Sequence, residues 1–142
     1  MEKIHVSDWM TANPITITAK ANLTDAYKLM KGHRIRRLPV LDDNGKLVGI
    51  VTIGDIREAH SFDPAHPEFS HVRVEQVMTI DPITIAPSAN IREAALLMLQ
   101  HKIGGLPVVE DKQVVGIITE SDIFLVLAVE LQPHAHGEPF TN

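Results

Sequence analysis

With 142 residues, 44% of them hydrophobic and 22% charged, the chain suits one ordinary domain or two small halves sharing a core, and it carries too many apolar side chains for wholesale disorder. Its 18 Asp and Glu outweigh 13 Lys and Arg, and a net charge of −5 offers no footprint for nonspecific nucleic acid or an anionic membrane surface. With no Cys, disulfides, Cys-based zinc sites and thiol catalysis are excluded; the longest apolar run, Ile123 to Val129, is far shorter than the ~20 residues of a membrane span. The opening Met1-Glu-Lys-Ile-His5 lacks the pattern of a secretory signal, so the expectation is a soluble, cytoplasmic protein.

Read in chain order, the elements come twice. A short helical turn around Ser7–Met10 precedes a β-branched strand, Ile15-Thr-Ile17. Asn22 then caps a helix, with Asp25 three residues on and Leu23, Ala26, Tyr27 and Met30 at helical spacing. Leu38-Pro-Val-Leu41 reads as a strand that tolerates Pro near its start or on an edge. A turn at Asp42–Lys46 leads to a strand over Leu47–Thr52, and a second helix begins near Asp55. Arg57 to Arg73 is read as a helix tail followed by an irregular linker with Pro64, Pro67 and three histidines.

The same order then returns. Val6 lines up with Val74, and 17 of the 36 pairs as far as Leu41 and Val109 are identical. One residue is lost at the turn, after which Val48-Gly-Ile-Val-Thr-Ile-Gly-Asp-Ile56 lies over Val115-Gly-Ile-Ile-Thr-Glu-Ser-Asp-Ile123. The fold expected is therefore α+β: two β-α-β-β-α repeats related by pseudo-twofold symmetry, with small sheets flanked by helices. The expected boundaries are 1–60 for the first repeat, 61–73 for the linker, 74–132 for the second repeat and 133–142 for a mobile tail. A site built at the junction of two such copies comes in two related versions.

Thr52-Ile-Gly-Asp55 and Thr119-Glu-Ser-Asp122 each end a strand and open a helix. Free N–H groups there favour an anion, the hydroxyl suits a phosphate, and the carboxylate suits a ribose diol. The competing reading is an ordinary capping box, which has the same Thr-x-x-Asp spacing.

Met10-Thr, Pro14-Ile-Thr-Ile17, Leu38-Pro-Val40, Gly49-Ile-Val-Thr-Ile-Gly-Asp55 and their second copies resemble a tandem pair of cystathionine β-synthase (CBS) domains, a Bateman module, over about Val6 to Leu131. The residues themselves, with neither a Walker phosphate loop nor a dinucleotide fingerprint and no recognised metal motif, give the expectation of no catalytic residues and no metal. The resemblance implies a regulatory, energy-sensing module with no required cofactor. Its implied ligand is adenosyl: AMP, ADP, ATP or S-adenosylmethionine. It further implies two composite clefts. One pairs Thr119 and Asp122 with Pro14–Thr18 and Ile35–Pro39, bringing in Ile15, Thr16, Arg36, Arg37, Leu38 and Pro39. The other pairs Thr52 and Asp55 with Pro82–Ala86 and Ile103–Pro107, bringing in Ile83, Thr84, Gly104, Gly105 and Leu106. Ile15, Ile83, Leu38 and Leu106 would sandwich the adenine. Where the first copy has Arg36 and Arg37, which suit phosphate oxygens, the second has Gly104 and Gly105. The Asp122 cleft is thus expected to prefer a phosphorylated nucleotide.

Other features read more plainly. His60, His66, His71, His134 and His136 have spacings that can bind a transition metal, but bland loop residues are the better reading. Ser61 beside His60 and Ser70 beside His71 are adjacency without triad geometry. The helices at Ile91–Gln100 and Ile123–Val129 are apolar on more than one face, which reads either as a deeper core between the packed repeats or as an interface; the resemblance implies the latter, a homodimer with Leu97, Leu99, Leu125 and Val126 as contacts. The alternative to a ligand sensor is a dimerisation or scaffold module with vestigial clefts. In either case the expected partners are a regulated protein and a second copy, not nucleic acid or membrane.

Overall fold

The computed structural model describes residues 4–59 and 71–131. The linker as far as residue 70 and the tail from residue 132, with His60, His66, His134, His136, Ser61 and Ser70, lie outside the described residues. The order is α1 (Val6–Trp9), β1 (Thr11–Ala12), β2 (Ile17–Thr18), α2 (Leu23–His33), β3 (Arg37–Leu41), β4 (Leu47–Thr52) and α3 (Ile53–Glu58). A 3₁₀ turn (Val74–Gln76) then leads to β5 (Thr79–Ile80), α4 (Ile91–His101), β6 (Gly105–Glu110), β7 (Gln113–Thr119) and α5 (Glu120–Glu130). The mixed helix-and-sheet fold and its duplication follow the sequence reading.

Each repeat forms because its caps and its apolar spacing agree. The Asn22 side chain accepts from Asp25 N–H at 2.8 Å, and Asn90 from Arg92 N–H at 2.7 Å, satisfying helix donors that otherwise lack partners. Leu23, Ala26 and Met30 of α2, and Ile91, Ala94 and Met98 of α4, face inward. Each helix ends on a left-handed residue, Arg34 or Lys102, both at φ 56°. Pro39 and Pro107 are buried within their strands. Pro39 is tolerated because β2 pairs with β3 only at Val40 and Leu41, so the β2-facing side of β3 needs no donor at Pro39.

Two strand expectations are corrected. Ile15-Thr16 and Ile83-Thr84 lie outside strands; β2 holds only Ile17 and Thr18, and in the second repeat Ile85 makes a single parallel bridge to Val108. β-Branched propensity favoured a strand, but backbone partners exist only at its end.

The sheets reveal an exchange between repeats. β1, from the first, pairs antiparallel with β7 of the second, and β5, from the second, pairs antiparallel with β4 of the first. The sheets therefore run β1-β7-β6 and β2-β3-β4-β5. The preceding turns cross too. Val6 N–H donates to Ala89 O and Val74 N–H to Ala21 O, both at 2.8 Å. Val6 joins the core of Ile85, Ile91, Leu106 and Ile118, while Val74 joins that of Ile17, Leu23, Leu38 and Val51. Bare glycines admit the crossing segments: a Cβ on Gly49 would stand 2.8 Å from Thr79 O, and one on Gly116 would stand 3.0 Å from Thr11 O. Neither repeat completes its core alone.

Candidate functional site

Two clefts open where the repeats meet. The first, of about 360 Å³, is lined by Thr11, Pro14, Ile15, Arg34, Ile35, Arg36, Arg37 and Pro39 from the first repeat and by Ile117, Thr119 and Ser121 from the second. The second, of about 300 Å³, is lined by Thr79, Pro82, Ile83, Lys102, Ile103, Gly104, Gly105 and Pro107 from the second repeat, and by Ile50, Thr52, Asp55 and Arg37 from the first. Both volumes fall at the low end of the range for small-molecule sites. The clefts are built largely from the same places in the repeat, except that Ser121 lines the first and Asp55 the second. They differ where Arg36 and Arg37 face Gly104 and Gly105, so they are called here the arginine cleft and the glycine cleft.

Of the residues singled out in the sequence, Ile15, Arg36, Arg37, Pro39 and Thr119 come together in the arginine cleft. Thr52, Asp55, Ile83, Gly104 and Gly105 come together in the glycine cleft. Others lie elsewhere. Leu38 and Leu106 are fully buried, one in each core, and line neither cleft, which leaves the apolar walls to isoleucines and prolines. Thr84 lines a separate groove with Lys46, Asp81 and Lys112, and Thr16 lines neither cleft.

Asp122 also stands back from the arginine cleft. Its Oδ2 accepts from Thr119 N–H at 2.8 Å and from the Thr119 hydroxyl at 3.2 Å. In the glycine cleft, Asp55 Oδ2 accepts from Thr52 N–H at 2.8 Å, and the Thr52 hydroxyl accepts from Asp55 N–H at 3.0 Å. Both Thr-x-x-Asp motifs are thus capping boxes, the plainer of the two sequence readings. The bonds that the two carboxylates accept all go to Oδ2 and leave Oδ1 outside the box. Of the two helices so capped, α5 has 11 residues and α3 only 6, so the stronger N-terminal dipole adjoins the arginine cleft.

Charge separates the clefts further. Three guanidiniums line the arginine cleft and no carboxylate does. In the glycine cleft Lys102 and Arg37 stand with Asp55. Sequence reasoning missed Lys102, although the repeat alignment places it opposite Arg34; it also missed Thr11 and Thr79, whose strands carry no periodic signal. Arg37 is half-buried, and its Nη1 donates to Gly104 O at 3.0 Å across the repeat junction. Burial lowers its pKa most; Glu120 opposes that shift and Arg36 adds to it. The guanidinium stays charged at neutral pH. His33 and His101 occupy the last position of α2 and α4 and are exposed, lining neither cleft. Among the described residues no group of three His, Asp or Glu side chains gathers as a metal site.

The model of the CBS-domain family matches residues 6–61 and 74–129. The chain belongs to that family and carries two CBS domains in tandem. It is 35% identical over 140 residues to a CBS domain-containing protein of Dictyostelium discoideum, covering 92% of this chain and 96% of that one. It is 40% identical over 121 residues to a homoserine O-acetyltransferase of Methanocorpusculum labreanum, covering 84% of this chain but only 23% of that enzyme's length. Among solved structures, the CBS domain pair of protein MJ0100, in complex with 5′-methylthioadenosine and S-adenosyl-L-methionine, superposes with a TM-score of 0.78 at 33% identity, over 89% of this chain and 97% of that one. CBSX2 in complex with AMP superposes with a TM-score of 0.76 at 29% identity, over 89% and 98%. CBS domain pairs are regulatory modules. No helix among the described residues is long and apolar enough to cross a membrane.

Proposed function

We propose that this chain senses an adenosyl ligand, AMP, ADP, ATP or S-adenosylmethionine, in its composite clefts and passes a change in the disposition of the repeats to a regulated protein. The observation that carries the reading is the pair of clefts itself: largely the same repeat positions, each cleft lined by both halves, with three guanidiniums and no carboxylate in one and Arg37, Lys102 and Asp55 in the other. A ligand that touches both repeats has a different affinity for each of their mutual arrangements, which is the requirement for transmitting a signal. The solved complexes of similar CBS pairs with AMP and with S-adenosylmethionine support the ligand class.

In this reading Ile15 or Ile83 and the neighbouring proline flank the adenine. Arg34 and Arg36 take a phosphate in the arginine cleft. Asp55 takes ribose hydroxyls in the glycine cleft, and Asp122 does so in the other once Oδ1 turns toward the ligand. The test is thermal unfolding with AMP, ADP, ATP, S-adenosylmethionine and guanosine nucleotides. A ligand at 100 times its Kd that binds only the folded state adds about 2.7 kcal/mol of stability. An adenosyl-selective rise in Tm that Arg36→Ala diminishes supports the reading. No rise with any adenosyl ligand contradicts it.

A second property has its own observation. Phe124, Leu125, Leu127 and Leu131 of the α5 segment are 49–65% exposed, and Leu99 of α4 is 75% exposed. Large apolar side chains exposed together on packed helices mark an interface. We propose that a second copy covers it. Val126, expected from sequence as a contact, is 6% exposed and belongs to the core, and Leu97 packs against that core; Phe124 and Leu127 take their place. Sedimentation of the wild-type chain and of Phe124→Glu tests this: a dimer that the substitution splits agrees, and a wild-type monomer at all concentrations does not.

A further inference from the structure

Among the described residues Arg37 alone lines both clefts. Its place follows from the repeat. Arg37 opens β3, its counterpart Gly105 opens β6, and the two strand starts face each other across the junction. Because the second copy has no side chains there, the arginine of the first fills the hollow. A Cβ on Gly105 would stand 2.7 Å from Arg37 Cδ, and one on Gly104 would stand 2.8 Å from Arg37 Nη2 and 2.7 Å from Glu120 Oε1. Gly104 O accepts from Arg37 Nη1 and from Glu120 N–H, each at 3.0 Å. In the first repeat the matching carbonyl, Arg36 O, accepts from Ile53 N–H at 2.8 Å, and Gly105, the counterpart of Arg37, has no side chain with which to reach back. The strut is one-sided.

We propose that Arg37 couples the two clefts in a charge-selective way: an anionic group in the arginine cleft draws the guanidinium off Gly104 O, and this alters the backbone wall of the glycine cleft. The proposal rests on the adenosyl-ligand reading above. Its physical basis is the geometry of the guanidinium, a planar fork that serves one bidentate acceptor on a given edge. Oxygens of a phosphate outcompete a neutral carbonyl, since hydrogen bonds between charged partners are roughly twice as strong. Once the fork turns, Gly104 O loses one of its two donors and the glycine hollow empties. A second anion in the glycine cleft is then left with Lys102, offset by Asp55. An uncharged adenosyl group in the arginine cleft has no such pull, and the strut stays in place.

The experiment is a titration of the ¹⁵N-labelled full chain with AMP and, separately, with adenosine, followed at the amides of Thr119 and Ser121 in one cleft and Gly104 and Gly105 in the other. The expected result is that AMP shifts all four with one Kd, whereas adenosine shifts Thr119 and Ser121 with one Kd and moves Gly104 and Gly105 only with a separate Kd, by occupying the glycine cleft directly. In Arg37→Gln the Thr119 and Ser121 response weakens about tenfold and the glycine response to that binding event disappears. Gly104→Ala keeps the charge but crowds the strut from the far side; it is expected to bind AMP at least as tightly as wild type while its Gly105 amide no longer follows. Glycine amides that follow adenosine with the Kd of Thr119 and Ser121, or that still follow AMP with the same Kd in Arg37→Gln, overturn the proposal. If AMP and adenosine leave Thr119 and Ser121 unmoved, the adenosyl reading fails by itself. Inorganic phosphate at tens of millimolar then decides the role of Arg37: movement of Gly104 and Gly105 in the wild type but not in Arg37→Gln upholds it, and silence overturns it.

Discussion

On the outer face of α2, Lys28, Lys31 and His33 are exposed; at the matching positions of α4 stand Leu96, Leu99 and His101. At the strand starts Arg36 and Arg37 face Gly104 and Gly105. Behind these differences the cores are near copies: Leu23, Ala26, Met30, Leu38 and Val40 in one, Ile91, Ala94, Met98, Leu106 and Val108 in the other. The duplicated interior preserves the fold, and the two repeats diverge where a ligand or a partner would touch them. The comparison teaches that the halves share one architecture but present unlike surfaces.

The sharpest way to break the symmetry of the interiors is to hollow each in turn. Leu38→Ala and Leu106→Ala each remove a fully buried side chain and are expected to cost about 3 kcal/mol. Because Val6 and Val74 sit in each other's cores, either substitution should lower one shared unfolding transition in urea; two separate transitions, with only one moved, would show that the repeats fold independently. Next in size are Gly49→Ala and Gly116→Ala. Each pushes a Cβ against the crossing segment, Met78 and Thr79 in one case and Met10 and Thr11 in the other, at an expected cost of about 2 kcal/mol. Equal losses in the same denaturation experiment support matching exchanges; loss at one site alone would mean that one crossing strand is dispensable.

Smaller effects sharpen the contrast between the clefts. Arg36→Ala is expected to weaken AMP about tenfold in the arginine cleft, or ~1.4 kcal/mol, and to leave the glycine cleft unchanged, as calorimetric titration would read. Smallest are Thr52→Ala and Thr119→Ala, at about 1 kcal/mol of stability each from the lost cap. Differential scanning calorimetry checks these values, and a loss several times larger would mean that the hydroxyls hold more than a helix end.

Much of this was legible in the sequence because local signals agreed. The repeat, the Asn22 and Asn90 caps, β4 and the inward stripe of α2 each follow from spacing or side-chain chemistry that neighbours do not override. The exchange of β1 and β5 was not legible: two residues, Thr11-Ala12 or Thr79-Ile80, have no period, and their partners lie in the other repeat. Ile15 and Ile83 carry β-propensity but line clefts instead of pairing. The apolar α5 announced an interface without saying which side faces the core, since all seven positions from Ile123 to Val129 are hydrophobic, and the contact expected at Val126 is a core position for that reason. The contrast of Arg36 and Arg37 with Gly104 and Gly105 was readable by alignment. That Arg37 reaches across to fill the glycine hollow depends on the packing of two strand starts, which no local pattern encodes.

The claim that the clefts are alike in build and unlike in charge is tested most directly by a crystal structure of the chain with AMP. The account predicts AMP in the arginine cleft, its phosphate against Arg36 and Arg34 and its adenine beside Ile15. A phosphate bound in the glycine cleft while the arginine cleft stays empty would contradict it.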